Sequence, residues 1–172
     1  DLGRWTAESL DRMLKDASRR DDAGERIEYL SRQFLGVPYG EGTLTGGKDI
    51  DEIFVIELGT VDCFTFLDYI ESMRTSSSFI DFRKTLASVR YRGGEVRYES
   101  RNHFFTDWID RNESRMTDVT EDIGGDKTQR MEKWLNKKEN GSLFLSAIPV
   151  VPRTIRYVPV PELTADHVAK LK

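Results

Sequence analysis

Residues 59–66 read Gly59-Thr60-Val61-Asp62-Cys63-Phe64-Thr65-Phe66, and they follow a short β-branched run, Phe54-Val55-Ile56. Aspartate is a preferred helix N-cap, so Asp62 is expected to begin a helix with Cys63 at its first position. Apolar residues at helical spacing then share one stripe: Phe66, Ile70 and Met73. The sequence therefore predicts a helix that opens with the one cysteine of the chain.

The position of this cysteine has a chemical meaning. A helix N terminus favours the thiolate form, because the helix dipole and the free N–H groups stabilise negative charge. The thiolate is the nucleophilic form, so Cys63 is a candidate for acyl-transfer chemistry. Free cysteine is also among the most often buried residue types, so a structural role for Cys63 stays open on position alone.

Helical patterns come first along the chain and strand patterns are interleaved later, which predicts an α+β fold. A helix is expected over 79–89. Two more are expected in the first third, where apolar residues recur at helical spacing: Trp5, Leu10, Met13, Leu14 and Ala17, then Ile27, Leu30 and Phe34.

Strand and turn signals dominate the second half. Arg90-Tyr91-Arg92 and Val96-Arg97-Tyr98 flank Gly93-Gly94, which predicts a hairpin. Prolines interrupt the strand signals between 148 and 160, and this favours edge positions or an extended crossing over a central strand. The remaining expectations are a short helix near 103–109, an edge strand or loop over 112–129, and a helix over 164–171.

The 172 residues suit one domain, which is expected to span residues 1–172. With 26 basic and 30 acidic residues the net charge is -4, and the absence of a basic block argues against nucleic-acid binding. No apolar run approaches the roughly 18 residues needed to span a bilayer. One cysteine and two histidines exclude a disulfide framework and leave little material for a metal site, so no metal and no cofactor is expected.

The two histidines are interpreted differently. His103 lies in a loop-like stretch that mixes aromatic, basic and amide groups, Tyr98-Glu99-Ser100-Arg101-Asn102-His103-Phe104-Phe105. The unperturbed pKa of histidine, about 6.5, would let His103 take a proton from a nearby cysteine, and a purely structural role is equally open. His167 is interpreted as a surface residue.

Two charged clusters have competing interpretations. The arginines could bind an anion bidentately or form cross-strand ion pairs: Arg90, Arg92, Arg97 and Arg101. The carboxylates before the cysteine are expected at a solvated edge: Asp49, Asp51, Glu52 and Glu57. Because catalytic carboxylate pairs meet in space and not in sequence, a glycosidase stays an alternative.

Four separated motifs occur in one order along the chain. They are Leu35-Gly36-Val37-Pro38-Tyr39 with Thr43-Leu44; Val61-Asp62-Cys63-Phe64-Thr65-Phe66; Arg90-Tyr91-Arg92-Gly93-Gly94; and Tyr98-Glu99-Ser100-Arg101-Asn102-His103-Phe104 through Asp107-Trp108. In this combination the chain resembles a bacterial family of N-acetylmuramoyl-L-alanine amidases, first catalogued as a domain of unknown function. That family belongs to the NlpC-type, papain-like superfamily of cell-wall cysteine hydrolases.

The resemblance implies a papain-like (NlpC-type) α+β fold, in which N-terminal helices, including the helix opened by Cys63, pack on an antiparallel sheet. It implies a periplasmic or secreted hydrolase that cuts the amide between the lactyl group of muramic acid and L-Ala. The implied partners are peptidoglycan fragments (muropeptides), including those with anhydro-muramic acid. The sequence begins at Asp1 without an apolar leader, as a trimmed or a processed secreted chain would.

The resemblance also assigns roles to residues. Cys63 would be the nucleophile and Asp62 the N-cap beside it. By residue type, Arg92 or Arg101 would hold a peptide carboxylate, and Trp108 or Tyr39 would stack on a sugar face. The implied substrate-binding set is Tyr39, Arg92, Tyr98, Arg101, Asn102 and Trp108.

One part of the superfamily pattern is missing. Its general base is a histidine in a Gly-Asp…His-Val-Gly type segment on a strand after the cysteine helix, and no such segment occurs here. We expect the domain to be incomplete at its C terminus, with the last strands and the base beyond residue 172. The alternatives are that His103 is the base, or that the chain is a non-catalytic muropeptide-binding module.

Overall fold

The computed structural model describes residues 1–170. The chain forms two compact units, Asp1–Asn102 (unit 1) and the chain from His103 onward (unit 2). Each unit is described by itself.

Unit 1 is built on four helices. They are α1 (Ala7–Ser18), α2 (Ala23–Arg32), α3 (Cys63–Arg74) and α4 (Phe79–Arg90). Each begins after a residue whose side chain accepts a hydrogen bond from the backbone N–H three positions on, which satisfies one of the otherwise unpaired amides of the first turn. The N-caps are Thr6, Asp22, Asp62 and Ser78. The predicted helices, and Asp62 as the cap of α3, are confirmed.

The core of unit 1 lies between these helices. Helix α3 packs against α1, α2 and α4, and every residue from 68 to 73 is buried. The apolar stripe expected on α1 is buried as predicted, whereas Ile27 of α2 is 41% exposed. Burying a large apolar side chain contributes about 1.5–3 kcal/mol, so the stability of α3 comes mainly from this packing. The central buried side chains are Leu10, Leu14, Leu30, Tyr69, Met73, Phe82 and Leu86.

A short antiparallel hairpin precedes α3. Strand β1 (Thr45–Gly47) pairs with β2 (Ile50–Ile53), with Thr45 opposite Ile53 and Gly47 opposite Ile50. The run 54–56 follows β2 as irregular chain that packs on the core. The residues just before Cys63 are thus held by packing and not by a long strand.

A buried ion pair joins α3 to α4. Arg90 Nε donates to Asp68 Oδ2 at 2.7 Å, and both side chains are 1% exposed. Arg90 Nη1 also donates to the carbonyl of Val55 at 2.6 Å. One guanidinium therefore ties both helices to the segment that leads into Cys63.

The hairpin predicted at residues 90–98 is wrong. Two short 3-10 turns, Arg92–Gly94 and Tyr98–Ser100, occupy this segment. Gly93 and Gly94 both have positive φ, +66° and +73°, but the residues on either side of them form no strands that pair with one another. Tyr91 pairs instead with Arg101, and Asn102 N donates to the Arg90 carbonyl at 2.9 Å.

Up to residue 170, unit 2 contains a longer hairpin and three short helices. Strand β3 (Gln129–Leu135) pairs with β4 (Val151–Tyr157) in continuous antiparallel register, from Gln129 opposite Tyr157 to Leu135 opposite Val151. The helices are α5 (Phe105–Arg111), α6 (Thr120–Gly124) and α7 (Ala165–Ala169). The short helix near 103–109 and the strand between 148 and 160 are confirmed. The edge strand or loop expected over 112–129 in fact contains α6 and a 3-10 turn, Gly125–Lys127.

The fold is thus α+β, with two separate two-stranded antiparallel sheets in residues 1–170. A larger sheet packed on the cysteine helix is not seen there, and the papain-like arrangement stays a prediction. Within those residues no helix is long and apolar enough to cross a membrane. The last residues of the helix predicted over 164–171 lie outside the described residues.

Candidate active site

Cys63 is the exposed first residue of α3. A reciprocal capping box fixes the backbone beside it: Thr65 N donates to Asp62 Oδ1 at 2.7 Å, and Asp62 N donates to Thr65 Oγ1 at 3.0 Å. Both partners satisfy amides that a helix start would otherwise leave unpaired. The sulfur is therefore presented to solvent from a rigid helix start.

Tyr39 is brought next to this helix start by the backbone. Gly40 N donates to the Val61 carbonyl, and Val61 N donates to the Pro38 carbonyl, both at 3.1 Å. The Tyr39 ring is 67% exposed, and its hydroxyl donates to Glu41 Oε1 at 3.2 Å. That hydrogen bond raises the pKa of Tyr39, and the nearby negative charges of Cys63 and Asp62 raise it further.

A second group of predicted residues surrounds a buried carboxylate, Glu52. Its side chain is 1% exposed, and Oε1 accepts from Tyr91 Oη at 2.8 Å and from Arg101 Nη1 at 3.1 Å. The Arg101 guanidinium also lies over the Tyr98 ring, 4.9 Å from its centroid. Burial, and then the hydrogen bond to Glu52, raise the pKa of Tyr91. The solvated edge expected for Glu52 is therefore wrong, and Arg101 is already engaged in an ion pair.

The other predicted residues of unit 1 occupy contrasting environments. Asn102 is buried, and its Nδ2 donates to the Val89 carbonyl at 2.9 Å, so it fixes the chain at the end of α4. Arg92 is exposed at the start of a 3-10 turn. Arg90 is the fully buried member of the arginine cluster and pairs with Asp68, which favours the ion-pair interpretation for that residue.

Three of the predicted residues lie in unit 2. His103 is half-buried just before α5, and Trp108 is a buried residue of α5. Trp108 lines an apolar cavity of about 430 Å³ together with Ile109, Met116 and Ile123. His167 is half-buried and serves in a capping box, where its Nδ1 accepts from Thr164 N at 3.0 Å.

The structure thus brings Tyr39, Asp62 and Cys63 together, and separately Tyr98 and Arg101 around Glu52. Cys63 belongs to unit 1 and His103 to unit 2, so their pairing stays a prediction. Among residues 1–170 no group of three His, Cys, Asp or Glu residues could hold a metal ion.

Sequence reasoning missed Thr65, Glu41 and the role of Glu52. The capping partner Thr65 was readable, because it follows Asp62 at the spacing of a capping box. The contact of Glu41 with Tyr39 depends on how the loop folds. The hydrogen bonds of Glu52 come from residues 39 and 49 positions further along the chain, and no local pattern signals them.

The chain is an α+β protein. Unit 1 contains four helices and has an exposed cysteine at a helix start, and unit 2 contains a β-hairpin. The family model described as AmiA-like, N-acetylmuramoyl-L-alanine amidase-like, matches residues 29–172. The chain therefore belongs to this amidase-like family. No curated protein sequence matches it significantly.

Solved structures agree with this placement. A Legionella pneumophila protein of the family DUF1460 superposes with a TM-score of 0.76 at 20% identity, over 95% of this chain and 68% of that protein. At this identity the likeness establishes the fold alone. One structure of an N-acetylmuramoyl-L-alanine amidase from Bacteroides uniformis superposes with a TM-score of 0.51 at 28% identity, over 71% of this chain and 47% of that amidase. A second gives 0.51 at 26% identity, over 76% and 49%. The chain thus spans about half the length of those amidases.

Proposed function

We propose that this protein is a cysteine hydrolase of peptidoglycan fragments, which cuts the amide between the lactyl group of muramic acid and L-Ala. The observation that supports it most is the exposed Cys63 at the capped start of α3, in a chain of the amidase-like family. The two Bacteroides uniformis structures bear the name of this activity. We propose that this chain acts outside the cytoplasm, as a periplasmic or secreted protein, because peptidoglycan is its proposed substrate.

The proposed reaction begins with attack of the Cys63 sulfur on the lactyl carbonyl carbon. The thiol proton passes to a general base, for which His103 is the candidate in this chain. A carbon–sulfur bond forms, and the backbone N–H of Cys63 at the helix start donates to the oxyanion.

Breakdown of the tetrahedral intermediate completes the cycle. The C–N bond breaks, and the base returns its proton to the leaving amine of L-Ala. Water then attacks the thioester, which gives a free lactyl carboxylate and regenerates the thiol. The capping box of Asp62 and Thr65 holds the attacking residue and its N–H in one geometry throughout.

Tyr39 and Glu41 border the helix start and are proposed to contact the substrate. The exposed Tyr39 ring offers an apolar face for a sugar, and its hydroxyl is oriented by Glu41. Arg92, Arg101, Tyr98, Asn102 and Trp108 complete the proposed substrate-binding set, although Arg101 is held by Glu52 and Asn102 by Val89.

The proposal is tested by incubating the protein with a disaccharide tetrapeptide that carries anhydro-muramic acid, and identifying the products by mass spectrometry. We expect the free disaccharide and the intact tetrapeptide, and no product with Cys63→Ser. His103→Ala is expected to abolish the products as well if His103 is the base. Ser88→Ala, an exposed change on α4, is the matched control.

Other outcomes distinguish the alternatives. Cleavage between the sugars that survives Cys63→Ser would identify a glycosidase and overturn the proposal. Retained cleavage by His103→Ala with loss in Cys63→Ser would move the base to another residue. Saturable binding without any product would identify a muropeptide-binding module.

A further inference from the structure

A cleft with charged walls lies in unit 1 apart from Cys63. Its volume is about 520 Å³, within the range of about 300–1,000 Å³ that is typical of small-molecule sites. One wall is the β1–β2 turn with β2, residues 47–52, and the other is the segment 96–99. Cys63 does not line it, so an occupant of this cleft is recognised by other groups.

The cleft presents charges of both signs. Lys48 and Arg97 are exposed, and neither forms an ion pair within residues 1–170. Three exposed carboxylates line the same cleft and are also without an ion pair there: Asp49, Asp51 and Glu99. Groups that could pair with one another but do not are available to a ligand of mixed charge.

A buried oxygen adds an independent observation. Glu52 lines the cleft with a side chain that is 1% exposed, and Oε2 has no hydrogen-bond partner among the described residues. Leaving such an acceptor unpaired is costly, and a nearby N–H or ammonium group would compensate it. This oxygen overlaps the position that a Cβ at residue 46 would take, so a side chain at Gly46 would collide with the Glu52 carboxylate.

The geometry of β2 favours an extended ligand. Within residues 1–170, β2 pairs with β1 alone, so its second edge carries unpaired backbone donors and acceptors. An extended peptide can add to such an edge through main-chain hydrogen bonds, while pockets hold its side chains. A neutral saccharide would form no ion pair with the exposed cations.

We infer that this cleft binds a short zwitterionic peptide segment, one that carries both a carboxylate and an ammonium group. Lys48 and Arg97 receive the carboxylate, and Asp49, Asp51 and Glu99 receive the ammonium group near the Glu52 carboxylate. The assignment involves no covalent step and no contact with Cys63, and the cleft shares Tyr98 with the proposed substrate-binding set.

Isothermal titration calorimetry of the full chain tests this site with three probes. The first is the tripeptide Ala-Glu-Lys with free termini. The second is an uncharged version of it, acetylated at the N terminus, amidated at the C terminus, and with Gln and norleucine in place of Glu and Lys. The third is a neutral N-acetylglucosamine disaccharide. We expect the charged tripeptide to bind, and the neutral peptide and the disaccharide to bind at least about tenfold more weakly. The difference should shrink at high ionic strength, because salt screens exposed charges.

Variants locate the site. Lys48→Ala and Arg97→Ala are each expected to weaken binding about fivefold, whereas Lys15→Ala, an exposed lysine of α1, leaves it unchanged. Cys63→Ala should also leave it unchanged, so failure of the amidase assay and failure of this proposal are distinguishable. Equal binding of the neutral peptide, binding of the disaccharide alone, absence of binding, or full affinity in both cleft variants would overturn it.

Discussion

At the scale of single residues, the capping box beside Cys63 has two separable effects. Asp62→Ala removes the acceptor for Thr65 N, so we expect a loss of about 1 kcal/mol in the free energy of unfolding, measured by urea denaturation. It should also change the rate at which iodoacetamide alkylates the thiol, because the first turn is no longer fixed.

The control is Ser78→Ala, which removes the corresponding cap of α4. Ser78→Ala is expected to lower the free energy of unfolding by a similar amount and to leave the rate of Cys63 alkylation unchanged. Equal effects of both changes on the rate would mean that the capping box has no specific influence on Cys63.

The Tyr39–Glu41 contact predicts a pH dependence. A carboxylate that accepts from the phenol stabilises its neutral form, so the pKa of Tyr39 lies above its ordinary value. Glu41→Gln removes both the charge and part of the hydrogen bond, and Tyr39 should therefore ionise at lower pH. The absorbance titration at about 295 nm, taken as the difference between each protein and its Tyr39→Phe counterpart, measures this. An unchanged titration in Glu41→Gln would contradict the contact.

At the scale of elements, the buried Arg90–Asp68 pair connects α3 to α4. Arg90→Met leaves the Asp68 carboxylate buried without its cation, which costs about 3–5 kcal/mol. Urea unfolding should reveal this loss, and the double variant Arg90→Met with Asp68→Leu should recover much of it. Arg19→Ala, which breaks an exposed pair with Asp16, is the control and should cost under about 1 kcal/mol. A small effect of Arg90→Met would mean that the carboxylate is hydrated or protonated.

Elements with strong helical spacing were predictable, and the turn after α4 was not. Helices α1 and α3 pack the stripes that their spacing indicated into or against the core, because one apolar face must meet it. At residues 90–98 the alternation of aromatic and basic residues suggested a hairpin. There Arg90 is withdrawn into a buried ion pair and Tyr91 pairs with Arg101, so contacts distant in sequence override the local pattern.

The candidate site divides in the same way. The cysteine at a capped helix start could be deduced from four neighbouring residues, because capping is local, whereas its exposure could not. The engagement of Arg101 and Tyr91 by Glu52 could not, because it joins segments that are far apart along the chain.

At the scale of the whole molecule, the two units differ in how their backbones are protected. Unit 1 has helices whose buried faces share one core, whereas β3 is exposed at every position but its last. A two-stranded sheet also consists entirely of edge strands. We therefore expect amides of α1 and α3 to exchange with deuterium more slowly than those of β3 and β4. Mass spectrometry of peptic fragments would measure this, and uniform protection in both units would contradict it.

The position of Cys63 has a consequence for how such a chain can diverge. The side chain is exposed, and the first residue of a helix tolerates many residue types, while neighbours supply the cap and the core. Mutational drift that replaced the thiol would remove the proposed reactivity and leave the scaffold and its charged cleft intact. Selection for folding and selection for chemistry therefore act on different positions. A single substitution at Cys63 would give a protein that folds but lacks the proposed reactivity.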